Sequence, residues 1–120
     1  MAKLIMDVGH APFGHENAYA GFFVIMGWVS IGNQGFVLLR GEGVHAARKG
    51  QGDTMKEIGL PQTEKLVNDI IGEGARVIAE KEALQARNMG PDLLIKGVEI
   101  MSSAEMDSFV LENGERVLTL

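Results

Sequence analysis

The sequence predicts an α/β fold, a three-layer α/β/α sandwich around a five-stranded, mainly parallel sheet, and three observations carry that prediction. Five short apolar runs recur along the chain, they do not alternate with polar residues, and helical patterns separate them. Runs without alternation belong to strands covered on both faces, as in a parallel sheet. Strands alternating with helices at this rhythm give three layers joined by right-handed crossovers. At 120 residues and 13.0 kDa the chain makes one domain, 1–120, large enough to bury a core without disulfides or a structural metal.

The expected strands are Lys3 to Val8, Phe36 to Arg40, Arg76 to Ala79, Val98 to Met101 and Arg116 to Leu120. Between the first two, about Glu16 to Ile31, lies a helix apolar on nearly every side, with Tyr19, Phe22, Phe23, Val24, Ile25, Met26, Trp28 and Val29. A domain of this size rarely covers a helix all round, so part of this one is expected to meet another subunit. The second helix, about Gln62 to Gly72, places Leu66, Val67, Ile70 and Ile71 at amphipathic spacing, and Gly72 and Gly74 can end it. A shorter helix, about Glu80 to Asn88, is interrupted by Met89-Gly90-Pro91, and Asp92 to Lys96 adds one turn. The last opens on Ser102-Ser103-Ala104-Glu105, a capping-box pattern, turns Met106, Phe109 and Val110 inward, and stops at Asn113-Gly114.

Charge and composition narrow the function. The net charge is −5, the pI is near 5.1 and the basic residues are scattered, which argues against nucleic acid and anionic membranes as partners. The few apolar residues before Asp7 are too short for a signal peptide. No charge occurs between Asn17 and Leu39, but the apolar part, Ala18 to Ile31, falls short of the roughly 20 residues a membrane span needs. A cytoplasmic location is expected, consistent with seven methionines and no cysteine.

Ligands of such folds bind at the carboxyl edge of the sheet. There the sequence places Gly9-His10-Ala11-Pro12-Phe13-Gly14-His15-Glu16 after the first strand and Gly41-Glu42-Gly43-Val44-His45 after the second. The ligand-binding candidates are therefore His10, Gly14, His15, Glu16, Glu42, Gly43 and His45. Three imidazoles with two carboxylates suffice for zinc or a related divalent metal if the loops converge, and no spacing here demonstrates convergence. Hydrogen-bonded or interface histidines are the plainer expectation. Acid–base chemistry is open to histidine, but no Ser or Thr nucleophile is recognisable beside them. Gly41-Glu42-Gly43-Val44-His45-Ala46 has the form of a dinucleotide fingerprint, yet it follows the second strand and lacks a well-placed ribose-binding acid, so it reads as a turn needing glycine. The third strand ends Ile78-Ala79-Glu80, without the acceptor aspartate of a receiver domain, and there is no Walker motif.

Four further segments carry a family likeness: Pro12-Phe13-Gly14 followed by Glu16, Gly43 to Gln51 (GVHAARKGQ), Leu84-Gln85-Ala86-Arg87 before Leu94 to Ile100, and Glu115 to Leu120 (ERVLTL). In this order, over essentially the full length, they resemble the DsrE/DsrF-like sulfur-relay family, small α/β proteins that assemble as homo- or hetero-oligomers, often hexamers built from trimers. The resemblance implies a DsrEFH-like fold, a homo-oligomer such as a trimer or hexamer, and DsrE-like or other sulfur-carrier proteins as partners. In sulfur-carrying members a reactive cysteine follows the third strand. The matching stretch here is Ala79, Glu80, Lys81, Glu82 and Ala83, and the chain contains no cysteine at all. A persulfide relay needs a thiolate, so these residues cannot carry sulfur on their own side chains. No catalytic residue is assigned. The resemblance implies a structural or partner subunit for a cysteine-bearing carrier, and the alternative is a stand-alone homo-oligomer binding a metal ion or small anion at the histidine-bearing loops.

Overall fold

A computed structural model describes residues 2–9, 16–49 and 63–120. Five strands form one sheet: β1 (Lys3–Val8), β2 (Gln34–Leu39), β3 (Arg76–Glu80), β4 (Glu99–Met101) and β5 (Val117–Thr119), in the order β4-β3-β2-β1-β5. Every pairing is parallel. The helices are α1 (Glu16–Ser30), α2 (Thr63–Gly72), α3 (Lys81–Ala86) and α4 (Ser103–Asn113), with 3-10 turns at Gly41–Ala47 and Pro91–Leu93.

Alternation along the strands divides the core into two layers. Leu4, Met6 and Val8 of β1, with Val37, Leu39, Val77 and Ala79, face α1, α2, α3 and the first 3-10 turn. Ile5, Phe36, Leu38 and Ile78 face the other way, against Met106 and Phe109 of α4. β1 and β2 are buried on both sides, which explains why neither shows polar alternation. Three helices therefore cover one face, and among the described residues α4 alone covers the other. It starts on the expected capping box: Ser102 Oγ accepts from Glu105 N at 3.1 Å and Glu105 Oε1 accepts from Ser102 N at 3.0 Å. Such a cap stabilises a helix by about 1 kcal/mol.

The all-round apolar helix is resolved as three inward residues and an uncovered side. Phe22, Ile25 and Val29 are buried, whereas Phe23 and Val24 are nearly half exposed. Trp28 donates its Nε1–H to the Gln34 carbonyl at 2.7 Å and lies under the Arg116 guanidinium. No helix among the described residues is long and apolar enough to cross a membrane.

Several boundaries differ from the sequence pattern. β2 starts at Gln34 because Gln34 and Gly35 continue the register opposite Lys3 and Leu4. Glu80 completes β3, beside Met101, so α3 begins only at Lys81. The extra turn expected at Asp92 to Lys96 lies at Pro91–Leu93, because Leu94 leaves it to bridge Arg48 in antiparallel fashion.

The Gly41–Ala47 turn is the least expected element, and glycine is what permits it. Gly41 adopts a left-handed φ of 52°. Gly43 has a different reason: a Cβ there would overlap the Val8 carbonyl oxygen at the end of β1. With no side chain in the way, the turn seats on the sheet and buries Val44, Ala46 and Ala47 completely. Gly43→Ala is expected to destabilise the protein by roughly 1–3 kcal/mol, since the obstacle is backbone and cannot swing aside. A thermal unfolding midpoint equal to that of the unaltered chain would contradict this account.

Candidate functional site

The carboxyl edge of the sheet presents two clusters. In the first, Glu42 and His45 stand three residues apart on the 3-10 turn, and His45 Nε2 lies 3.2 Å from Glu42 Oε2. Glu42 Oε1 takes a 2.6 Å ion pair from Arg87 Nη2, just beyond α3, and Arg87 Nη1 also donates to the Ala83 carbonyl at 3.0 Å. Arg87, by hydrogen bond and by charge, holds the Glu42 carboxyl below the ordinary glutamate range, with His45 adding to the effect. Glu42 thus ties the turn to α3 and orients the imidazole. Both of its oxygens are taken.

The second cluster occupies the crevice between β3 and β4. The chain leaves β3 toward the α3 face and β4 toward the α4 face, so this is where the connections part, the place open α/β sheets use for ligands. The stretch Ala79 to Glu82 runs through it. Ala79 is fully buried and points into the core. Glu80 Oε1 accepts from Gly41 N at 3.3 Å. Lys81 is exposed at the start of α3. Glu82 accepts from Ser103 N with both carboxylate oxygens, each at 3.0 Å. A helix amino terminus attracts an anion, and here the chain's own Glu82 fills that role for α4. Glu80 and Glu82 thus each hold a backbone N–H of a neighbouring element.

Of the ligand set read from the sequence, Glu42, Gly43 and His45 come together on one turn, with Gly43 acting as the spacer that lets the turn approach β1. Glu16 opens α1. His10, Gly14 and His15 lie outside the described residues, and with them the question of a shared metal centre. Among the described residues no three His, Asp or Glu side chains are grouped to hold a metal ion.

Sequence reasoning missed Arg87 as the partner of Glu42, although it stood within a segment quoted for the family likeness. It also missed a partly buried ionic group below the edge, on the α4 side. Arg40 Nε lies 3.4 Å from Asp7 Oδ1, and Arg40 Nη1 lies 3.0 Å from Asp107 Oδ1. Asp7, in the middle of an apolar strand, was the only available signal. Burial pushes its carboxyl above the ordinary aspartate range; Arg40 opposes that, and Glu80 and Asp107 reinforce it.

Replacing Arg87 by Gln should move the Glu42 titration midpoint up toward the ordinary glutamate value, read by NMR of the side-chain carboxyl. The ionised form of Glu42 favours the folded state above the unfolded-state pKa, and that contribution fades as pH falls through the depressed folded value. An unchanged midpoint in the variant would remove Arg87 as the cause.

The chain matches the DsrE/DsrF-like family over residues 2–120. An uncharacterized protein of Methanopyrus kandleri, MK0008, is 26% identical over 106 residues, covering 88% of this chain and 84% of that protein. The crystal structure of the ychN protein from E. coli superposes with a TM-score of 0.82 at 21% identity, and that of MTH1491, a protein of unknown function from Methanobacterium thermoautotrophicum, with 0.73 at 16%. Both alignments cover 100% of each chain, and at these identities they establish a shared fold. With a family match spanning nearly every residue and the fold of its structural relatives, this chain belongs to the DsrE/DsrF-like family.

Proposed function

We propose that this protein is a non-catalytic, cytoplasmic DsrE-like subunit of sulfur metabolism, a structural partner for a cysteine-bearing sulfur carrier. One observation carries the reading. At the place where the resemblance puts the carrier cysteine, the chain has Ala79-Glu80-Lys81-Glu82, and no cysteine exists elsewhere in its 120 residues. The two carboxylates there are bound to backbone N–H groups of neighbouring elements, Glu80 to Gly41 and Glu82 to Ser103. A group that accepts and releases sulfane sulfur must be a thiolate open to its partner. A carboxylate fixed by hydrogen bonds is neither. Family membership points to a sulfur-relay-related role, and the chemistry of this edge supports a place on its non-carrying side.

Assembly is the remaining contribution such a subunit can make. Phe23 and Val24 on α1 and Ile31 just after it are exposed at 46%, 47% and 76%, within a stretch that contains no charge. Exposed apolar surface of this kind supports association with further subunits, either copies of the same chain or carrier homologues.

Two measurements test the proposal. Purified protein treated with inorganic polysulfide should show no added sulfur in its intact mass. Mixed with a cysteine-bearing DsrE-like homologue from the same genome, it should form a joint oligomer in native mass spectrometry, with transferable sulfur on the homologue alone. Covalently bound sulfane sulfur on this chain would refute the reading, and so would a homo-oligomer indifferent to such homologues. Stoichiometric metal in that homo-oligomer, lost on His15→Ala, would replace it with ligand binding at the histidine-bearing loops.

A further inference from the structure

We propose that Asp7, Arg40 and Asp107 form a proton-sensitive latch that sets how tightly α4 is held against the sheet. The inference stands apart from any role in sulfur chemistry, because it concerns the face opposite α1 and α2. Arg40, from the end of β2, reaches Asp7 of β1 with Nε and Asp107 of α4 with Nη1. Its Nε is buried and has no hydrogen-bond partner among the described residues, since the 3.4 Å approach to Asp7 lacks the alignment of a bond. A third carboxylate, Glu80 of β3, acts on Asp7 from the neighbouring side, and β5 contributes only Thr119 in register with Asp7. One guanidinium therefore pairs with two carboxylates, Asp7 and the exposed Asp107, while Glu80 acts on Asp7 by charge. With all three carboxylates ionised, the group carries a net charge of two negatives, at a place where Asp7 and Arg40 are largely covered.

Protonating Asp7 resolves the conflict. A neutral Asp7 no longer competes for Arg40 and no longer repels Asp107, so the guanidinium is left to its 3.0 Å pair with α4. Ionising Asp7 draws Arg40 back toward β1 and sets two like charges beside the helix. Burial raises the Asp7 carboxyl above its unfolded value, so the folded protein binds that proton more tightly than the unfolded chain does. The stabilisation is therefore complete below the unfolded pKa and is lost as pH rises through the folded one. The consequence is felt at α4 because, among the described residues, its apolar attachment is small: Met106 and Phe109, with the partly buried Val110, on Ile5, Phe36, Leu38 and Ile78. Glu105 in the capping box has the opposite sign: hydrogen bonds from Ser102 lower its pKa, so acid loosens the first turn of α4. The two effects are separable by direction.

The experiment is an NMR titration of the full chain that follows the Asp7 carboxyl carbon and the backbone amides of residues 103–113, with hydrogen exchange corrected for its intrinsic pH dependence. The α4 amides should show a component with the Asp7 midpoint, above the ordinary aspartate range. Protection of α4 should fall severalfold as pH rises through that midpoint. Asp7→Asn should abolish the component. Asp107→Asn, which leaves the sheet untouched, should lower the Asp7 midpoint by removing a like charge and should also silence the response in α4. The latch is overturned if Asp7→Asn retains the component, or if α4 in the unaltered protein follows only the acid-range loosening expected from Glu105.

Discussion

The seating of the Gly41–Ala47 turn on the end of β1 is the constraint on which the carboxyl edge depends. Gly43 brings its backbone against Val8 where a side chain would collide, and Arg40 N donates to the Val8 carbonyl at 3.0 Å to close the same corner. Once the turn is down, Val44, Ala46 and Ala47 go into the core while Glu42 and His45 stay at the rim. Several neighbouring groups are fastened to this platform. Glu80 bonds to Gly41 N, Arg87 to Glu42, and the chain leaving the turn pairs Lys49 N with the Leu93 carbonyl and Ile95 N with the Ala47 carbonyl.

A consistent principle governs the crevice above. Exposed or half-exposed backbone N–H groups at the ends of strands and the starts of helices need acceptors. This chain supplies them from its own carboxylates. Glu80, Glu82 and Glu105 each receive a main-chain donor, the first from Gly41 and the other two from the start of α4. An edge built to carry a reactive group leaves donors and space free for the incoming ligand. The stretch Ala79 to Glu82 is a structural joint between β3, α3 and α4.

Most of the fold was legible in the sequence because it follows from periodicity. Unalternating runs become strands buried on both faces, and the capping box of α4 forms as its residues dictate. The errors fall where a tertiary bond overrides the local pattern. Gln34 and Gly35 are poor strand formers, yet the β1 ladder recruits them, and Leu94 leaves the helical path to meet Arg48. The two glycines near Glu42 were recognised as conformationally necessary, but nothing local could announce that Gly43 serves a contact with Val8, thirty-five residues earlier in sequence. The same limit applies to the site. Glu42 and His45 were visible as neighbours three apart. Arg87 and the Asp7, Arg40, Asp107 group join residues separated by tens of positions, and charges that meet only across the fold leave no spacing to read.

The division of labour between the two sheet faces follows from these placements. On the α1 side the core is extensive, and Leu66, Val67 and Ile70 of α2 add to it. On the α4 side, among the described residues, six buried side chains do the work, and a partly exposed ionic group supplements them. Ionic groups in such a position stabilise weakly, because desolvation offsets much of the attraction. What they give is dependence on protonation, which an apolar contact lacks. Hydrophobic burial thus fixes one face at any pH, while charge makes the attachment of the other adjustable.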